Sequence, residues 1–108
     1  MIGLEDLARL CPEVPRTELT LWIERCWVRA DRQPGGDWLF TEMDVARARL
    51  LAELRVTFEI EEGAMPLVLS LIDQLYDARR TVRALLAALE EQPAEVRQAV
   101  LAAARDRA

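Results

Sequence analysis

Apolar positions recur along this chain with a helical period from its first residues. Leu4, Leu7, Ala8 and Cys11 fall at i, i+3, i+4 and i+7, the stripe of a short amphipathic helix. Pro12 and Pro15 then break the pattern, because a proline disfavours helix in the residue before it. Leu19, Trp22, Ile23, Cys26 and Trp27 repeat the stripe behind Thr17, which is placed to cap a second helix of similar length. Two short helices joined by a tight break form a helix-turn-helix unit. The run RQPGGD holds the only Gly-Gly pair and reads as a turn between two short strands, Trp27-Val28-Arg29 and Trp38-Leu39-Phe40, a hairpin of the wing type.

Thr41 followed three residues later by Asp44 imitates a capping box and opens a third helix, with Met43, Ala46, Leu50 and Leu54 on one face. Residues 55–63, RVTFEIEEG, are β-branched, aromatic and acidic before a glycine, so the helix stops near here and a bent connector follows. From Ala64 to about Gln92 the period returns. Val68, Ile72, Leu75, Val82, Leu86 and Leu89 keep a near-heptad spacing interrupted by Arg79, over a length that exceeds what one small core needs. Pro93 suits the first turn of a terminal helix with Val96, Ala99, Val100 and Ala103 on its apolar side. The expected architecture is all-α: a winged helix-turn-helix over 1–57 with a small β-hairpin wing, then a long C-terminal helix and a short terminal one over 58–108, packed as one domain.

Composition narrows the function. A chain of 108 residues, about half apolar, supports one ordered core of ordinary domain size. The net charge of −5 repels polyanions and favours basic partners, which argues against nucleic acid. No signal peptide opens the chain and no apolar stretch approaches membrane-spanning length, so a cytoplasmic protein without membrane attachment is expected. There is no histidine, which removes the commonest general base and metal ligand, so neither catalysis, a metal nor a cofactor is expected. Cys11 and Cys26 lack CxxC spacing and sit in phase with apolar faces, where a thiol acts as a small hydrophobe.

On the assumed phase of helix two, Glu18, Leu21, Glu24, Arg25 and Val28 face outward, and carboxylates aimed into a groove would oppose phosphate contacts. In the wing, Asp31 and Asp37 offset Arg29 and Arg32. The long helix offers a second surface: its apolar stripe suits either packing on the N-terminal unit or an antiparallel pair between two subunits, and its length favours association as a homodimer.

At this point the order of elements resembles the MerR-type winged helix-turn-helix, and WLFTEMDVARARLLAEL, from Trp38, is similar to that family's passage from wing to helix. The stretch FEIEEGAMPLVLSLIDQLYDARRTVRALL, residues 58–86, is similar to its CbpM branch of chaperone modulators. The resemblance covers roughly residues 4–90. It implies a non-catalytic protein that binds the J-domain of a DnaJ-like, CbpA-type co-chaperone and restrains its stimulation of a DnaK-type chaperone. J-domains present a basic helix, so Glu59, Glu61, Glu62, Asp73 and Asp77 are the expected partner-binding acids, with Leu69 and Ile72 as apolar contacts. The chain departs from DNA-binding relatives where LTLWIERCW lacks the paired tyrosines of helix two and where the wing reads Gly36-Asp37-Trp38. The alternative is a MerR-like transcription factor using a patch of Arg16, Arg25, Arg29 and Arg32.

Overall fold

Proline and hydrogen-bond termination set the first elements. A computed structural model describes residues 1–108. The chain runs β1 (Ile2–Gly3), α1 (Leu4–Leu10), α2 (Arg16–Glu24), β2 (Asp31–Arg32), β3 (Trp38–Phe40), α3 (Glu42–Val56), α4 (Met65–Glu90) and α5 (Ala94–Arg107). The protein is therefore mostly helical, with a small three-stranded antiparallel sheet of order β1-β3-β2. It divides into two compact units, Met1–Leu69 and Ser70–Ala108. The division falls inside α4 and not at the expected Thr57/Phe58, because Ile60, Met65 and Leu69 pack in or against the first unit's core.

In the first unit α2 starts one proline earlier than the expected Thr17 cap. Pro15, with φ preset near the helical value, is the N-cap, and its carbonyl accepts from the N–H groups of Glu18 and Leu19 at 3.0 and 3.1 Å. The helix also ends sooner than its apolar stripe suggested. Cys26 adopts a left-handed φ of 61°, Trp27 N–H donates to the Trp22 carbonyl at 2.9 Å, and Cys26 N–H to that of Ile23 at 3.1 Å. That pair of bonds is a Schellman termination, with a cysteine where glycine is usual. It corrects two expectations. Residues 27–29 are not a strand, since the Trp27 and Val28 N–H groups are drawn back to the Trp22 carbonyl, and pairing begins only at Asp31. Cys26 is exposed, lying beyond the helix that would have buried it, whereas Cys11 is in the core as expected.

The sheet registers Asp31 with Leu39 and Arg32 with Trp38 on one side of β3, and Ile2 with Phe40 and Gly3 with Leu39 on the other. The β1 strand, absent from the sequence reading, is two residues long and carries no periodic signal of its own. Gln33 and Gly36 close the turn between β2 and β3, and Gly36 has a φ of +88° that a side chain would strain.

The Thr41 capping box is present in both directions: Asp44 N–H donates to Thr41 Oγ1 at 3.2 Å, and Thr41 N–H donates to Asp44 Oδ2 at 2.9 Å. Of the face expected on the helix it opens, Leu54 packs against the core, but the fully buried face is a different one. Ala48, Leu51 and Ala52 are fully buried, whereas Met43 is 77% exposed and Ala46 and Leu50 line a surface depression. Two apolar stripes are interleaved on this helix, and the small alanines of one allow the close backbone approach that the other's bulk would prevent. The core joins these residues to Leu7, Cys11, Val14, Leu19, Trp22, Val28, Phe40, Met65 and Leu69, with no buried polar side chain among them. Val28, expected outward, is therefore inside.

The second unit holds the rest of α4 and all of α5, which Pro93 caps. No residue from 70 to 108 is buried. No helix of the protein is long and apolar enough to cross a membrane.

Candidate partner-binding site

A cleft of about 380 Å³ opens in the first unit, lined by Glu18, Leu21, Trp22, Trp27, Arg55, Glu59, Glu61, Glu62 and Met65. Each backbone feature described above delivers part of it. The Schellman end of α2 turns Trp27 back beside Trp22, and the Nε–H of Arg47, from α3, donates to the Trp27 carbonyl and fixes that turn. The end of α3 supplies Arg55. Glu59 then takes a left-handed φ of 54°, and Ile60 N–H donates to the Leu54 carbonyl at 3.0 Å. This reversal folds the acidic connector over α3 and carries Glu61 and Glu62 to the cleft before α4 begins at Met65.

Four carboxylates and one guanidinium therefore surround an indole and thioether floor. Arg55 Nε pairs with Glu18 Oε1 at 2.9 Å, and the Glu18 side chain is only 24% exposed, so this pair is partly shielded from solvent. Arg25, the C-cap of α2, pairs with Glu62 and places its guanidinium carbon 5.2 Å from the centre of the Trp27 ring, within cation–π range. Glu59 and Glu61 enter no ion pair and are exposed. The cleft is built to hold cations against an aromatic face while retaining surplus negative charge.

Three of the acids expected from sequence, Glu59, Glu61 and Glu62, are thus brought to one cleft. Leu69 is not a surface residue: it is buried in the core and is corrected from partner contact to structural anchor. Ile72, Asp73 and Asp77 belong to the second unit, where Asp77 pairs with Arg80 at 3.5 Å. Glu18, Trp22 and Trp27 were not among the expected site residues. Glu18 was legible as an outward acid of helix two, but the indoles read as core stripe, and only the early end of α2 exposes part of Trp27.

Two of the four arginines of the expected DNA-reading patch are engaged within the protein, Arg16 with Glu5 and Arg25 with Glu62.

The second unit presents a different surface. Leu71, Leu75, Val82, Leu85 and Leu86 of α4 are all half-exposed or more. Leu71, Leu75, Ala78, Val82, Leu85 and Leu89 advance by four, three, four, three and four residues, an unbroken heptad seam. The stripe expected from sequence ran through Arg79; this one shares Leu75, Val82 and Leu89 with it but passes beside Arg79, and the Val68 and Ile72 of the expected stripe are already half-buried.

Comparison with known proteins gives no match to any protein-family model. None is found among curated proteins or among solved structures.

Proposed function

We propose that this protein is a non-catalytic chaperone modulator of the CbpM type, which holds the J-domain of a DnaJ-like co-chaperone on its acidic cleft and so restrains the co-chaperone. In this reading α1, α2, the β2–β3 ribbon and α3 form a MerR-type winged helix-turn-helix whose reading face serves protein recognition. The observation that carries it is the cleft itself: carboxylates of Glu18, Glu59, Glu61 and Glu62 outnumber the single lining arginine around an aromatic floor. Such a surface steers a basic helix toward it and repels duplex phosphate. Of the run 58–86 whose sequence is similar to the family, Glu59, Glu61, Glu62 and Met65 line the cleft. Direct DNA binding is disfavoured by the same charges and by the engagement of Arg16 and Arg25.

The second half of the reading is a homodimer through α4. Antiparallel pairing about residue 80 sets Leu71 against Leu89, Leu75 against Leu85 and Ala78 against Val82 of a second copy, six layers in all when the symmetry mates are counted. It supplies cover for a helix pair in which no residue is fully buried. Asp73 and Asp77 lie off this seam.

The test is a titration of a purified J-domain against the wild-type chain and the Glu61→Lys, Glu62→Lys double variant at low and at physiological salt. Loss of at least about tenfold in affinity, with a salt dependence that flattens in the variant, is expected for rim charges that steer a basic partner. Equal affinity for both chains at low salt would exclude the cleft as the docking surface.

A further inference from the structure

Two residues that line the cleft already make the kind of interaction it would offer a partner, with an arginine that is not itself part of the lining. Arg25 pairs with Glu62 and lies over the Trp27 ring, so two lining residues are in contact with a guanidinium of the chain itself. We propose that the cleft is a receptor for one arginine side chain of the partner, and that Arg25 is a self-ligand which this arginine displaces. The proposal rests on the reading of this face as the partner surface, and adds what enters it and what it must expel.

The chemistry selects arginine over lysine. A planar guanidinium can lie against an indole face and still offer two parallel N–H donors to a carboxylate, whereas an ammonium is a compact, strongly hydrated point charge. The cavity provides both elements side by side: Trp27 as the face, Glu59, Glu61 and Glu62 as acceptors, and Leu21 and Met65 as apolar lining for the methylene stem. The volume of about 380 Å³ lies within the range of sites that bury small ligands and exceeds what one arginine side chain fills. Charge complementarity fixes the sign of the occupant, since Glu59 and Glu61 have no cationic partner while Glu18 and Glu62 are each matched by one arginine.

Arg25 is suited to leave. It is a helix C-cap residue held through its backbone, its N–H donating to the Leu21 carbonyl at 2.9 Å, so its side chain can swing out without disturbing α2. Its side chain is 39% exposed, and its contacts to Glu62 and Trp27 are each of the weak surface kind. An incoming guanidinium exchanges like for like, so the net gain comes from the unpaired Glu59 and Glu61. Removing Arg25 should therefore tighten binding of an external arginine by about fivefold, the combined weight of one exposed cation–π contact and one exposed ion pair.

The experiment is an NMR titration of the full-length protein with N-acetylargininamide, using N-acetyllysinamide and the neutral isostere N-acetylcitrullinamide as controls. The expected result is saturable shifts of the Trp27 indole N–H and of the amides of residues 59–65 with the arginine probe, weaker ones with lysine and none with citrulline. The Arg25→Ala and Arg25→Gln variants, each checked for unchanged helicity, should bind the arginine probe about fivefold tighter. Unchanged or weaker binding in both variants, shifts scattered away from the cleft, or equal response to citrulline would overturn the proposal. Arginine capture that persists in a protein which fails to bind a J-domain would leave the site standing and reject only the choice of partner.

Discussion

Leu69 and Leu71 are two residues apart on α4, yet one is 4% exposed and the other 57%. Replacing each with alanine separates the two uses of this helix. At Leu69 the variant loses the transfer energy of a buried isobutyl group and leaves a cavity among the buried core side chains, which together cost about 2–5 kcal/mol. The first unit spans residues 1–69, so its total stability is expected to be roughly 3–10 kcal/mol at ordinary values per residue. Leu69→Ala should thus remove about a fifth or more of it and lower Tm by at least about 8 °C. Leu71→Ala removes a half-solvated side chain and should change the stability of the isolated chain by no more than about 0.5 kcal/mol. In the proposed homodimer its cost should appear instead in association, where each of the two Leu71–Leu89 layers would be damaged and the dissociation constant should rise at least about tenfold. Urea unfolding followed by the fluorescence of buried Trp22, repeated across protein concentrations, measures the first quantity, and sedimentation at micromolar concentration measures the second. If Leu69→Ala costs less than about 1 kcal/mol, the start of α4 is not part of the core. If wild type sediments as a monomer throughout, the seam has some other occupant.

Two further outcomes follow from local features. Thr41→Ala removes the Oγ1 that accepts from the Asp44 N–H, while the main-chain N–H of residue 41 can still donate to the Asp44 carboxylate, and should destabilise the first unit by about 1 kcal/mol, measured by the same urea curves, whereas Thr41→Ser should restore most of it. The Cys11 thiol is pushed above its ordinary value of 9.0 chiefly by burial, then by Glu13, with Arg49 opposing. Being neutral in the folded state where the unfolded chain ionises, it stabilises the fold fully below pH 9.0 and loses that contribution as pH rises above it, through the raised folded value. Stability should therefore fall on the alkaline side more steeply in wild type than in Cys11→Ala, and thiol-specific alkylation of the native protein should modify exposed Cys26 long before Cys11.

Local signals in the chain were sufficient for α1, the capping box of α3, the connector, α4 and the Pro93 start of α5, because each depends on residues within one or two turns: a period, a cap or a proline. The acids of the connector were also legible as an exposed acidic bend, since charge and glycine mark one. What the sequence could not resolve were choices between neighbours of equal local merit. Two apolar stripes compete on α3 and two on α4, and which is buried depends on the partner that packs there. Cys26 and Trp27 continue a helical stripe in sequence, but the helix stops at Glu24 because two N–H groups find better acceptors by turning back. The strand β1 exists only because β3 offers it an edge. The cleft belongs to this second class. Its connector acids are near neighbours along the chain, but Glu18 and Trp22 come from α2 and Trp27 from the turn that ends it, some thirty to forty residues earlier, and only tertiary packing, through Arg47, Arg55 and the reversal at Glu59, brings them to one cleft.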